Sequence, residues 1–447
     1  MVLQASTGDD SPIQQYTDPW KLMAMSPDGA RAAAVRIEGF DKGNDIAIFK
    51  VGAQGIEPEF QFTAGGGSWD ELQYVAFSSR NELVTISQKS TFTVWDLEGK
   101  PGPKALRQSN SGGTMTAEMS PAGEVLAMIF GNTVAIIENA SSKLVGCLKF
   151  EQAVSKVAFS SDAESLAIYQ PFLVTIYGTK DGKEKVSFAI NESNPQAEFS
   201  WLGKHLMIGE IVYDSERGVP VWTYRSQPSA RVPIGPYLIS AFGADDKTTT
   251  SLTRIPHEEA IRASSDVDKS KIFAIVPGDN VSVNYVLNGL NPQVTKQVQD
   301  AVEGKLQQLG WKVSPSSSKT VTVKIETGKP GEVEYHTARG FGPVPIVPPP
   351  GFGIPPGSGP GIKVQYTPWI HTLSISVNGQ EVHLSQYQRG APSYLETKDG
   401  ESTQEGVLRY CQPFPDYFKN LPIPPHLLKF EYKQGLGAST IDASGLH

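Results

Sequence analysis

Met25-Ser26-Pro27-Asp28-Gly29 joins an apolar residue and a serine to a tight turn, and an apolar strand follows at 32–36. Pro fixes its own φ, Asp bonds nearby backbone and Gly accepts a positive φ, so the three together specify a turn. The pattern returns at Phe77-Ser78-Ser79-Arg80-Asn81, Met119-Ser120-Pro121-Ala122-Gly123, Phe159-Ser160-Ser161-Asp162-Ala163 and Phe199-Ser200-Trp201-Leu202-Gly203, with a degenerate copy at Ile239-Ser240. The serines are 52, 42, 40, 40 and 40 residues apart. A period near 40 is the length of one four-stranded propeller blade.

The remainder of each unit agrees. A strand is expected after each turn, at 32–36, 82–87, 125–130, 165–169 and 205–208. A second follows at 45–49, 91–96, 133–138, 173–177 and 211–214. These segments are rich in Val, Ile, Phe and Tyr, which suit a pleated, buried surface. Polar links such as Leu97-Glu98-Gly99-Lys100 separate the units.

The Ser-Pro-Asp-Gly turn at 26–29 and Trp95-Asp96 at the close of its strand resemble the WD-repeat β-propeller family. The resemblance covers about residues 16–260. Only one unit carries Trp-Asp, and none carries the Gly-His pair of fuller repeats. Six units are visible, and the family commonly closes with seven, so a ring of six or seven blades is expected. The resemblance implies a scaffold that mediates protein assembly.

The repeat ends near residue 265, where the charge also changes. Residues 1–265 carry 31 acids and 23 bases, whereas residues 266–447 carry 16 of each. The fold class expected is therefore mainly β: a propeller over 1–265 and a smaller α+β domain over 266–447. In that domain 270–326 reads as strand–helix–strand. Asn291 suits an N-cap and Pro292 the first helical position, where no N–H is needed. Val294, Val298, Ala301, Val302, Leu306 and Leu309 form one helical stripe, and Gly310 ends it. Segments 321–326 and 332–337 are expected to pair. Phe341–Gly361 holds 8 Pro and 6 Gly in 21 residues and is expected to be a long loop. Asn378-Gly379 centres a hairpin of 370–377 with 380–387. Pairing 377 with 380 places His371 and His383 on opposite faces. The proline-dense tail after Cys411 is expected to wrap the domain without regular structure.

Composition excludes several classes. Gly (43) and Pro (33) make up 17% of 447 residues, too little for a collagen-like or wholly disordered chain. A net charge of −8 argues against nucleic-acid binding through bulk positive charge. No stretch reaches the roughly 18 apolar residues of a membrane helix, so no direct membrane insertion is expected. The N-terminus shows no signal-peptide pattern. Cys147 and Cys411 read as two buried free thiols, which suits a reducing, cytoplasmic setting.

The search for chemistry yields no motif. The Gly-x-Ser-x-Gly elbow of serine hydrolases is absent. His257-Glu258-Glu259 lacks the second histidine of a zinc peptidase. Gly65-Gly66-Gly67 and Gly112-Gly113 do not lead into a helix that would bind phosphate. No catalytic residue, metal site or cofactor is assigned. Asp45, Asp70, Glu71 and Glu210 lie in loops and read as solvated charges. The function expected is a non-catalytic scaffold for a protein partner, with a binding rim at Trp20, Trp69, Gln88, Lys89, Gln170 and Phe172. The alternative is a propeller hydrolase or lyase with loop-borne carboxylates around the central channel.

Overall fold

The computed structural model describes residues 20–447 except 37–42, 53–54, 65–69, 101, 111–115, 151, 191–193, 195–196, 227, 229, 244–248, 266–267, 338–344, 347–359, 393–394, 399 and 422. Six antiparallel sheets follow one another along the chain and form a six-bladed β-propeller. The first blade comprises β1 (Trp20–Met25), β2 (Arg31–Arg36), β3 (Asp45–Gly52) and β4 (Gly55–Thr63). The second holds β5 (Leu72–Ser79), β6 (Glu82–Ser87), β7 (Thr91–Asp96) and β8 (Lys104–Asn110). In the third are β9 (Thr116–Met119), β10 (Val125–Phe130), β11 (Thr133–Glu138) and β12 (Lys143–Lys149). The fourth has β13 (Lys156–Phe159), β14 (Ser165–Gln170), β15 (Leu173–Gly178) and β16 (Glu184–Ala189). Next come β17 (Phe199–Leu202), β18 (His205–Ile208), β19 (Ile211–Asp214) and β20 (Val219–Arg225) in the fifth. The sixth has three strands, β21 (Ala230–Ile234), β22 (Tyr237–Phe242) and β23 (Thr249–Arg254). From β1 to β21 the first strand of each sheet lies beside that of the next, so the first strands line the axis.

The repeated serine has a physical role. Ser26, Ser120 and Ser160 are buried. Each hydroxyl accepts from the N–H five residues on, Arg31 (2.9 Å), Val125 (3.0 Å) and Ser165 (3.0 Å) respectively. The backbone N–H of each serine returns a bond to the carbonyl of the same residue. One small side chain thus closes the turn between the first two strands. Ser200 and Ser240 do not do this. Ser200 lies within β17 opposite Met207, and Ser240 lies in β22; both hydroxyls are buried without a partner. The last two copies keep the blade period but not the turn serine, because Gly203 (φ 60°) and Gly235 (φ 57°) make those turns through their backbone.

Alternation along the middle strands builds the core. In β10, Leu126 and Met128 pack with Val84, Ile86, Phe92 and Val94 of the second blade. The intervening Ala127 and Ile129 pack with Val157, Phe159, Leu166 and Ile168 of the fourth. Between the fifth and sixth blades, Met207, Val212 and Trp222 meet Leu238 and Ile255.

The chain divides into two units, residues up to 266 with 434–447, and residues 267–433. The last segment, placed in the second domain by the sequence reading, therefore belongs with the propeller. After β23 comes α1 (Glu258–Ser265), and the chain ends in β34 (Ala438–Asp442) and β35 (Gly445–Leu446). β34 pairs in parallel with β20, and Ile441 is buried in the core between the fifth and sixth blades. A Cβ on Gly437 would lie 2.3 Å from the Trp222 ring, so only glycine allows this approach.

The second unit contains α2 (Lys269–Ile272), β24 (Phe273–Ile275), β25 (Asn280–Val286), α3 (Pro292–Gln308), β26 (Lys312–Val313), β27 (Lys319–Thr327), β28 (Gly331–Thr337), β29 (Pro345–Ile346), β30 (Ile362–Tyr366), β31 (Trp369–Val377), β32 (Gln380–Arg389), α4 (Thr403–Tyr410), α5 (Asp416–Lys419) and β33 (Leu427–Leu428). Its main sheet runs β26-β25-β27-β31-β32. β25 and β27 are parallel, joined through α3, as the strand–helix–strand reading requires. Asn291 caps α3 by accepting from the Val294 N–H at 2.8 Å. The expected pairing of 321–326 with 332–337 does not occur. β27 pairs with β31, whereas β28 joins a separate sheet with β29 and β30. The expected loop at 341–361 lies outside the described residues apart from 345–346 and 360–361. Regular structure also continues past Cys411, because the prolines there precede elements without interrupting them; Pro415 leads into α5. Cys147, expected to be buried, is exposed; Cys411 is buried. Among the described residues no helix is long and apolar enough to cross a membrane.

The hairpin corrects one further expectation. Val377 pairs with Gln380, but a bulge between Ile375 and Ser376 brings His383 opposite Ile375. His371 and His383 therefore point to the same side of the sheet, 0% and 8% exposed. The Phe414 N–H donates to His371 Nε2 at 2.9 Å. Burial, reinforced by Arg389 for His371 and Lys433 for His383, pushes both imidazoles down to about 4.

Two tests follow from this packing. Trp95 donates to Thr85 Oγ1 at 2.9 Å and meets Phe62 of the first blade edge-on at 5.2 Å. Trp95→Ala should cost about 3 kcal/mol, as for other large-to-small changes at packed aromatics, whereas Trp95→Phe should cost about 1 kcal/mol for the hydrogen bond; chemical denaturation measures both. For the histidines, a folded pKa below the unfolded value means stability is fully present above about 6.5 and is lost as pH falls toward 4. Each protonation costs on the order of 3 kcal/mol. Amide protection factors in β31 and β32, which are corrected for the intrinsic exchange rate, should therefore fall between pH 7 and 4, and less so in a His383→Leu variant.

Candidate functional site

The first strands bring polar side chains to the axis. A cavity of about 360 Å³ is lined by Gln73 and Tyr74 of β5, Thr116 and Glu118 of β9, Lys156 of β13 with the preceding Ser155, and Phe199 of β17. Four successive blades thus contribute to one cavity, which places it in the central channel. Its apolar wall includes Ala117, Ile129 and Val157.

Two carboxylates stand in or beside it. Glu118 lies in the short strand β9 opposite Ala127. Burial pushes its carboxyl up to about 7, and the same burial, together with Glu118, holds the Tyr74 hydroxyl well above its ordinary range. Glu198, just before β17, is raised by burial and drawn back by Arg231 and Lys156. Arg231 of β21 approaches Glu198 Oε2 at 3.4 Å and donates to the Ser226 carbonyl at 3.1 Å. Lys156 Nζ donates to the Ala197 carbonyl at 2.7 Å, and burial lowers its ammonium while Glu198 partly restores it. The Glu198 side therefore sets two cations, Lys156 and Arg231, against two acids, Glu198 and Glu210 (3.9 Å from Arg231), and the Glu118 side holds a half-buried acid.

The expected rim is placed as follows. Trp69 lies outside the described residues. Trp20 is half-buried under the Arg36 guanidinium, 5.1 Å from the ring centroid. Gln88 and Lys89 are exposed in the turn between β6 and β7. Phe172 is half-buried at a φ of 64°, in the turn between β14 and β15. Gln170, expected to be exposed, is 5% exposed and donates to the Gln152 carbonyl at 3.2 Å.

The loop acids have structural partners. Asp70 is buried and accepts from the Lys89 N–H at 2.8 Å. Asp45 accepts from Thr63 and faces Arg36. Glu210 accepts from the Ser226 N–H. Glu118 and Lys156 escaped the sequence reading because they lie inside strands, two and four residues before a turn serine. The readable signal is a glutamate, Glu118 and again Glu198, two residues before the turn serine where three other copies place Ala24, Ala76 and Ala158; the column of Lys156 is mixed, with Leu22, Tyr74, Thr116 and Gln196. Among the described residues no group of three or more His, Cys, Asp or Glu side chains is gathered to hold a metal ion.

A second exposed feature lies on the sixth blade. Leu238 faces the fifth blade, so its neighbour Ile239 faces away. Val232 and Leu252 pair with Ile239 across the sheet, and Tyr237 lies on the same side. Val232 is 51% and Leu252 60% exposed. No protein-family model matches the chain, and no curated protein does.

The raised Glu118 carboxyl gives a stability test. A folded pKa above the unfolded value means the native state is penalised as pH rises from about 4.5 through 7. Glu118→Gln should therefore stabilise the propeller by on the order of 2 kcal/mol at pH 8, with the gain vanishing below pH 4.5. Denaturation at the two pH values measures it.

Proposed function

We propose that this chain is a WD-repeat-like propeller that serves as a non-catalytic scaffold for a protein partner in the cytoplasm. The observation that carries the reading is the Val232–Ile239–Leu252 row. Val232 and Leu252 are exposed on either side of a half-buried Ile239, in register across three strands of a sheet whose other face is core. Contiguous exposed apolar surface of this kind marks interaction sites. The row suits a partner that presents apolar side chains. Gln88 and Lys89 offer polar contacts on the rim of the second blade. Of the four acids read as solvated charges, Asp45, Asp70, Glu71 and Glu210, three are held by neighbouring groups of the fold: Asp45 by Thr63 across the strand pair, Asp70 by the Lys89 N–H and Glu210 by the Ser226 N–H.

The test is affinity capture with the full chain, followed by titration of the captured protein. Val232→Asp with Leu252→Asp should weaken the complex at least about tenfold, since about 1.4 kcal/mol suffices and a central apolar contact is typically worth about 2 kcal/mol. Circular dichroism should be unchanged, because both side chains are exposed. A folded variant that keeps wild-type affinity would remove this face from the proposal. The same loss on Gln88→Ala with Lys89→Ala would move the surface to the rim.

A further inference from the structure

We infer that the channel cavity is a binding site for a small organic amine, with its ammonium group against Glu118 and its apolar part against Tyr74 and Phe199. Two ionisable groups of opposite sign line the cavity, but they are not equivalent. The Lys156 ammonium already donates to the Ala197 carbonyl and lies in the field of Glu198, which Arg231 also holds. An anion brought to Lys156 would meet the negative charge of Glu198. Among the described residues no cation pairs with Glu118. A carboxylate partly withdrawn from water is costly unless paired, and a ligand ammonium supplies the pairing that the fold omits.

Shape and chemistry agree. A volume of about 360 Å³ is at the small end of ligand pockets. Aromatic rings on two sides suit an apolar body and favour a nearby cation over its neutral or anionic analogues. The hydroxyls of Thr116 and Ser155 add acceptors for the remaining ammonium hydrogens.

The groups facing Glu118 also fix how binding responds to pH. Tyr74 stays protonated across the neutral range, and on the other side Lys156 and Arg231 face two acids, Glu198 and Glu210, the latter 3.9 Å from Arg231. Glu118 changes charge near 7. An alkylamine is a cation throughout that range, so it binds the ionised carboxylate and releases a proton from the acid form. Affinity should then rise about tenfold from pH 6 to pH 8.

The experiment is isothermal titration of the full chain with 2-phenylethylamine, with 2-phenylethanol and phenylacetate as neutral and anionic counterparts. The amine should bind at pH 8 at least tenfold more tightly than either counterpart. Its affinity should fall about tenfold at pH 6, with proton release visible as a heat that depends on the buffer. Glu118→Gln should weaken the amine at least tenfold and flatten the pH profile. Absence of amine binding at millimolar concentration, preference for phenylacetate, or equal binding by a folded Gln variant would overturn the assignment. If the variant does not fold, the wild-type profile decides, and a flat one between pH 6 and 8 overturns it.

Discussion

A sheet inside the propeller has two apolar faces, and each is stabilised by the neighbouring sheet that covers it. This constraint governs the rest of the structure. It explains why β10 and β14 are apolar at nearly every position: Leu126 and Met128 serve one interface, Ala127 and Ile129 the other. It also explains how the chain treats an incomplete blade. The sixth sheet has three strands, and the interface it shares with the fifth is completed by α1 and by Ile441 from the far end of the chain.

The sequence made the period and the middle strands legible because both rest on local, repeated physics. A buried serine closes a turn, and a continuous apolar run follows. Asn291-Pro292 and Asn378-Gly379 were readable for the same reason, since a cap and a type I′ turn need only their own residues. Features that depend on distant partners were not readable. The bulge that turns His383 to the side of His371 adds one residue to a strand without a sequence mark. The partner of β28 is decided by which sheet needs an edge. The return of residues 434–447 to the propeller rests on Gly437 meeting Trp222, a contact across more than 200 residues.

The channel acids show why a site can be missed while its fold is found. Loop carboxylates attract attention because loops carry function, yet Asp70 and Glu210 are spent on backbone N–H groups. Glu118 is masked by its place in a strand. The first strand of a blade is the one strand with an edge on the axis, so it tolerates a charge that a middle strand would not. Aligning the repeats on the turn serine places Glu118 and Glu198 in one column, two residues before it, where three other copies have Ala24, Ala76 and Ala158.

The outer edges of the blades complete the logic of covered and uncovered surface. An unpaired edge strand is a template for another chain. β20 is buried at every position but its last, because β34 and α1 lie over it. β12 is exposed along most of its length, with Leu144 and Val145 at 62% and 58%. Its protection is chemical: Lys143 and Lys149 stand at its two ends, and burying either ammonium against a pairing strand is unfavourable. The outward face of the sixth blade carries one charge, Arg254 at the end of β23 opposite Tyr237. Val232 and Leu252 are exposed without a flanking lysine on β21 or β23. A chain that covers one apolar surface with its own terminus and guards another with charge has left this third one open, and it is there that an apolar partner meets the least resistance.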